Sequence, residues 1–146
     1  MGKKVVLDTN ILISALGWKG KPREVFQKCI NGELDLVISK EQIKELKRVM
    51  DYPKFTFSEE QKETFLSIIL EFATLVKISS KLKIIKDDPD DDAILETGLV
   101  GDVDYIISGD PHLLKLNEFN NIKIVKVSEF LENVSTSVDH TPRNLE

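Results

Sequence analysis

Four acids stand where carboxylates could do chemistry. Asp8 directly follows the apolar run Val5-Val6-Leu7, and Asp110 follows Tyr105-Ile106-Ile107-Ser108-Gly109. Asp91 lies in the acidic run Asp87-Asp88-Pro89-Asp90-Asp91-Asp92, and Glu45 sits on an amphipathic helical pattern. Carboxylates converging on one edge repel unless a cation neutralises them. Hard oxygen ligands suit Mg²⁺ or Mn²⁺, which orient a water and stabilise a phosphoryl transition state. No second constellation competes. Cys29 lies on a helical pattern and reads as core. His112 and His140 read as lone histidines, against a zinc site or a histidine-activated nucleophile. A glycine-rich phosphate loop is absent.

Convergence depends on the elements that carry these residues. Lys4-Val5-Val6-Leu7 reads as a buried strand ending at Asp8, with Asn10 as the N-cap of a short helix. Pro22 opens a second helix, and Asn31-Gly32 stops it. Leu34 to Ile38 reads as a second strand, and Ser39 caps a helix closed by Pro53. Ser58 opens the next helix, and Leu75 to Ile78 reads as a third strand. The acidic run enters a helix carrying Ile94, Leu95 and Leu99. Tyr105 to Ile107 and Lys123 to Val127 read as the fourth and fifth strands, and Ser128 caps a last short helix. Strands alternating with helices predict an α/β fold with a mostly parallel sheet covered on both faces. Ligands of such sheets gather beyond the carboxyl ends of the strands, where Asp8 and Asp110 lie.

Helical phase sharpens the acidic run. With Ile94 at zero and about 100° per residue, the apolar stripe centres near about 70°. Asp91 falls at about 60°, inside it, and Asp92 at about 160°, on its shoulder. A carboxylate in a core-facing row is costly unless it is paired or binds a cation, so Asp91 is the candidate of the run. Asp88, Asp90 and Asp92 are expected to complement the helix N-terminus. Glu45 lies at the edge of the stripe made by Ile43, Leu46, Val49 and Met50. Phase alone leaves it either a site acid or a boundary residue. Asp104 precedes the fourth strand, at the opposite edge of the sheet, and reads as structural.

The chain has 146 residues, 41% of them hydrophobic and 31% charged with both signs interspersed, which fits one globular domain and not a disordered chain. No apolar run approaches the ~18 residues that span a bilayer. The acid three residues into Val5-Val6-Leu7-Asp8 comes too early for a signal-peptide core, and one cysteine fits a reducing compartment, so the expected location is the cytoplasm. A net charge of −5 argues against a passive module that grips nucleic acid by blanket phosphate neutralisation. It is compatible with an enzyme whose acids bind metal. The domain is expected over 1–134, with a flexible tail over 135–146 where the hydrophobic pattern is lost.

Val6-Leu7-Asp8-Thr9-Asn10, Glu45, Asp88-Pro89-Asp90-Asp91-Asp92 and Tyr105-Ile106-Ile107-Ser108-Gly109-Asp110 resemble, in order and spacing, the PIN-domain family. The likeness is greatest to its toxin components of toxin–antitoxin systems, the VapC-like ribonucleases, and it covers roughly residues 3 to 132. Asp-Thr-Asn alone is a weak motif; the ordered set of four blocks is specific. The resemblance implies a three-layer α/β/α sandwich around a mostly parallel, about five-stranded sheet. It also implies a ribonuclease that hydrolyses RNA with metal-activated water, with no covalent intermediate. By position the acids would be Asp8, Glu45, Asp91 and Asp110, with Mg²⁺ or Mn²⁺ as cofactor. Asn10 and Ser108 would orient ligands or water. An antitoxin partner and a homodimer or higher assembly are further implications.

Trp18, Lys19, Lys21 and Arg23 could stack a base and hold the RNA backbone, or form a solvated loop. Three other readings compete. A haloacid-dehalogenase-type phosphatase would use Asp8 as nucleophile and Ser39 as phosphate ligand, but it needs an acid where Asn10 stands. A receiver-like signalling domain normally needs an acidic pair where this chain has Asp8 alone. A PIN scaffold kept as a non-catalytic RNA- or protein-binding module would not require four converging carboxylates.

Overall fold

The first strand is apolar on both of its faces, and that dictates a sheet buried on both sides. The computed structural model describes residues 2–85 and 88–139. Strand β1 (Lys3–Leu7) is followed by helices α1 (Thr9–Gly17) and α2 (Lys21–Ile30), then β2 (Leu34–Ser39), α3 (Lys40–Met50) and α4 (Glu59–Phe72). The chain continues through β3 (Thr74–Val76), α5 (Pro89–Gly101), β4 (Tyr105–Ile107) and α6 (Pro111–Leu114), and ends in β5 (Glu118–Phe119), β6 (Ile122–Val125) and α7 (Val127–Asp139). The strand order is β3-β2-β1-β4-β6-β5. Every pairing is parallel except β5 with β6.

Side-chain alternation divides the core in two. Val5 and Leu7 of β1 face one hydrophobic cluster with Leu36, Ile38, Phe26, Leu46 and Phe130. Val6 faces the other, with Val37, Ile106, Ile94, Leu95 and Leu113. One layer is therefore α1, α2, α3, α4 and α7, and the opposite layer is α5 with α6. This is the expected three-layer sandwich. The close approach of α5 to the sheet requires Gly101, where a Cβ would stand 2.5 Å from Val37 Cγ1.

Local chemistry sets most boundaries as expected. Ser39 Oγ accepts from the Gln42 amide, and Ser58 with Gln61 forms a full capping box. Gly32 ends α2 at φ +84°. Four details differ. The structure has a sixth strand, β5, joined to β6 by Asn120 and Asn121, both at positive φ as a type I′ hairpin requires. Strand β3 stops at Val76, short of Ile78. Helix α7 begins at Val127, one residue before the expected cap Ser128, and β6 accordingly ends at Val125, short of the expected Val127. Asn10 does not cap α1: that position belongs to Asp8, whose backbone carbonyl accepts from the Ile11 and Leu12 amides. The expected tail over 135–146 overlaps the end of α7, and its remainder lies outside the described residues.

Candidate metal centre

Parallel pairing of β1 with β4 sets Leu7 beside Ile107, so Asp8 and Ser108 leave the sheet as neighbours. Both are buried. Ser108 Oγ donates to Asp8 Oδ2 at 2.6 Å and accepts from the Asp110 amide at 2.9 Å. One hydroxyl thus links the two strand-end acids. Although Asp8 occupies the N-cap position of α1, its side chain makes no capping bond and is left to the site. Burial raises its pKa above the ordinary carboxylate value, opposed by the Ser108 bond, and the nearby charges of Asp110 and Asp88 add to the rise.

Helix α5 brings the acidic run to the same edge. Asp88, Asp91, Asp110 and His112 each offer a ligand atom, all within 4.8 Å of one another. Asp88 Oδ1 accepts from the Asp91 amide and Asp110 Oδ1 from the His112 amide, so both acids cap a helix and face the cluster. Asp91 is 6% exposed, and its Oδ2 is buried with no hydrogen-bond partner. Burial, contact with Asp88 and the charges of Asp110 and Asp8 push its pKa up to about 8. Asp92 faces elsewhere: its Oδ1 accepts from the Ile84 and Ile85 amides at 2.8 and 2.7 Å.

Glu45 approaches from α3. Thr9 Oγ1 donates to its Oε1. Burial raises its pKa to about 6 against that bond, with Asp90 and Asp8 adding to the rise. Gln42 fixes this helix to the sheet, its Nε2 donating to the Leu7 carbonyl at 2.6 Å. On α5, Thr97 Oγ1 donates to Ser39 Oγ at 2.8 Å and so ties α5 to the start of α3. Asn10 is exposed and lines a cleft with Glu45 and Asp90.

Of the four acids read from the sequence, Asp91 and Asp110 belong to the tightest group of ligand atoms. Asp8 lies outside that group, though its charge reaches Asp91 and Asp110's charge reaches it. Glu45, raised in part by the nearby charges of Asp90 and Asp8, also stands outside the group. Asp88 and His112 were not expected there. Asp88 does the capping work foreseen for it and faces the cluster as well. His112 is not a lone histidine, since its Nδ1 lies 3.7 Å from Asp110 Oδ1. The signal for it was available: two residues past an acid that caps a helix, a side chain remains beside that acid. Gln42 also had a signal, because its phase falls between Val49 and Leu46 in the α3 stripe.

Arg23 has a structural task. Its Nε and Nη2 donate to the Ala15 and Leu16 carbonyls, each at 2.9 Å, and close the C-terminus of α1. Lys19 and Lys21 are exposed beside Trp18. Cys29 and Asp104 meet their structural readings: Cys29 is buried, and Asp104 Oδ2 accepts from the Lys4 amide at 2.9 Å.

A sequence profile described as PIN domain matches residues 4–112. The chain belongs to the PIN domain family. That assignment sets aside the phosphatase and receiver readings. Among solved structures, VapBC2 from Rickettsia felis, crystallised bound to a DNA fragment from its promoter, is similar at a TM-score of 0.58 and 17% identity. The match covers 83% of this chain and 96% of that one. PAE2754 from Pyrobaculum aerophilum is similar at a TM-score of 0.53 and 10% identity, covering 92% of this chain and 90% of that one. Both share the PIN fold with this chain. A comparison with curated proteins finds no match. No helix among the described residues is long and apolar enough to cross a membrane.

The donor set fits a divalent cation. Three carboxylates lie at close range, Asp91 among them is buried, and one of its oxygens has no proton donor to satisfy it. Such a group either stays protonated or meets a cation. Oxygen donors favour a hard dication, and the one imidazole nitrogen makes Mn²⁺ as acceptable as Mg²⁺.

Proposed function

We propose that this PIN domain is a metal-dependent endoribonuclease that hydrolyses RNA phosphodiester bonds, acting as the toxin of a toxin–antitoxin pair. The observation that carries the reading is the buried, unpartnered Oδ2 of Asp91 among Asp88, Asp110 and His112. Asp91 and Asp110 would hold the cation, with Asp88 and His112 completing its shell and Asp8 supplying charge from beneath. Bound there, Mg²⁺ or Mn²⁺ supplies a lowered water pKa and charge neutralisation at the phosphate.

The chain's own residues do the rest. Ser108 holds Asp8 Oδ2 and the Asp110 amide together, which fixes the spacing of the strand-end acids. Thr9 holds Glu45 by one oxygen, and a carboxyl with a pKa of about 6 can accept a proton near neutral pH. Asn10, exposed in the cleft beside Glu45, is placed to orient a water or a phosphate oxygen. Hydrolysis adds water across one P–O bond, so this proton acceptor and the charge-bearing acids suffice without a nucleophilic side chain. The similarity of fold to VapBC2, a toxin–antitoxin complex, supports an antitoxin partner; a homodimer or higher assembly and a cytoplasmic setting belong to the same proposal.

The test is cleavage of structured and single-stranded RNAs in Mn²⁺, Mg²⁺ or EDTA by wild type, Asp8→Asn and Asp91→Asn. Cleavage that needs metal and is lost in both variants is the expected result. Wild type that binds metal yet cleaves no RNA would overturn it.

A further inference from the structure

Trp18 is 55% exposed although it packs edge-on against Phe55 and Phe57, at ring-centroid distances of 6.2 and 6.3 Å. Phe55 and Phe57 stack on each other at 5.4 Å. This cluster is built, not incidental. Gly17 admits the Phe57 ring to the end of α1, where a Cβ would meet ring carbons at 3.1 Å. A turn in which the Phe55 amide donates to the Tyr52 carbonyl at 2.9 Å brings the 51–58 connection back over it.

Cations accompany the rings. Lys54 Nζ lies 5.3 Å from the centroid of Phe55. Arg48 Nη1 donates to the Tyr52 hydroxyl at 2.7 Å and Nη2 pairs with Asp90 Oδ2 at 3.5 Å, both contacts exposed, and the guanidinium lines the same hollow as Lys54 and Phe55. Two hollows of about 290 and 230 Å³ meet here, because Lys54 and Phe55 line both. The first also contains Glu45 and Asn10, and the second contains Trp18 and Phe57. A continuous strip therefore leads from the carboxylate site to the exposed tryptophan.

We propose that this strip holds the single-stranded RNA flanking the bond to be cut, a reading that rests on the nuclease assignment. Lys54, and Arg48 on exchanging Asp90 for a phosphate, contact the backbone, and the exposed ring of Trp18, backed by Phe55 and Phe57, stacks a base. Charge complementarity chooses the occupant: Glu45 and Asp90 line only the end nearest the carboxylate site, whereas Lys54 stands by Phe55 and Lys19 and Lys21 are exposed beside Trp18, in a chain of net charge −5. Alternating cations and aromatic faces are how proteins grip single strands with little dependence on sequence.

Trp18 is the only tryptophan, so its fluorescence reports the strip directly. The experiment titrates a single-stranded RNA of about eight nucleotides into the protein in EDTA, where cleavage does not intervene. Fluorescence is followed with the anisotropy of the labelled RNA. The expected result is quenching of Trp18 on binding. Lys54→Ala, an exposed position, and Phe55→Ala should each weaken binding about 5-fold or more, while Lys83→Ala on the far flank of α5 leaves it unchanged. Lys54→Ala should also reduce the salt dependence by roughly one phosphate contact. Binding that leaves Trp18 unquenched and ignores Lys54→Ala overturns the strip. So does finding that these substitutions release a co-expressed protein partner and leave RNA affinity intact. Tight binding through the strip with no cleavage in Mn²⁺ sinks the nuclease reading alone; cleavage of long RNA unaffected by Lys54→Ala and Phe55→Ala sinks the strip alone.

Discussion

Asp91 and Asp92 are adjacent on α5, equally buried, and treated in opposite ways. Asp92 receives the Ile84 and Ile85 amides, and one turn on, the buried Glu96 receives the Ser79 and Ser80 amides and the Ser79 hydroxyl. Burial alone would raise Glu96, but those bonds outweigh it and hold its pKa below the ordinary value. On this flank the acids pin the 79–85 segment over the helix, beside a cavity of about 620 Å³. On the other flank Asp91 meets mainly other acids and keeps an oxygen with no donor. Burial by itself therefore does not mark a functional carboxylate. Burial without a donor is what sets Asp91 apart, because only a proton or a cation can then satisfy the charge.

The largest expected effect separates the flanks by activity. Asp91→Asn should lower metal-dependent RNA cleavage by more than about 100-fold, since even residues that merely orient metal ligands cost 10- to 100-fold. Asp92→Asn should leave the chemistry within a few-fold once the protein is folded. Cleavage assays with both variants at matched folded fraction check this, and equal losses would erase the distinction between them.

Stability should move the opposite way. Asp92→Ala removes the acceptor of the Ile84 and Ile85 amides and should cost about 1–2 kcal/mol, and Glu96→Ala a similar amount, in urea unfolding without metal. Asp91→Asn should be neutral or stabilising in the same buffer, because it removes a desolvated acid. Added Mn²⁺ at about 100 times its Kd should stabilise wild type by roughly 2.7 kcal/mol and Asp91→Asn by far less.

The pH dependence sharpens the contrast further. Unfolded Asp91 loses its proton near pH ~4, whereas the folded chain keeps it to about 8. Between those values folding takes up a proton, so the metal-free protein should lose stability as pH rises through that window. Glu45, raised to about 6, contributes in the same direction over the lower part of it. Glu96 has a lowered pKa, so its contribution is present above the ordinary carboxylate value and fades as pH falls below it. Thermal unfolding from pH 4 to 8 should therefore fall for wild type without metal and flatten in Asp91→Asn. An unchanged slope in that variant would assign the dependence elsewhere.

The smallest effect concerns the rim. His112→Ala should weaken Mn²⁺ binding a few-fold and Mg²⁺ binding less, since only the former gains much from an imidazole nitrogen. Calorimetric titration of both metals checks it, and equal losses would remove His112 from the cation's shell.

Much of this was legible in the residues. The β-branched runs fixed which segments are strands, and Asp8 and Asp110 follow from lying at the ends of two of them. Helical phase separated Asp91 from Asp92 because the sheet faces one side of α5. The same reasoning fails for Glu96 and Thr97, which lie about 130° from the stripe centre and would be solvent-facing on phase alone. They are buried because the 79–85 segment and the start of α3 cover the outer side of α5. Asp88 looked like a cap and is one, yet its place beside Asp91 and Asp110 makes it also a neighbour of the site. The aromatic strip shows the same limit: Phe55 and Phe57 lie some forty residues from Trp18, and nothing in their local patterns joins them.

The sequence by itself determined the α/β alternation, the strand ends that carry acids and the inward face of each amphipathic helix, because these depend on periodicity and on neighbours within a turn or two. Tertiary structure alone decided which buried acid would find a donor. That choice depends on backbone amides and side chains brought from distant segments, and a carboxylate's ionisation is set by what surrounds it in space.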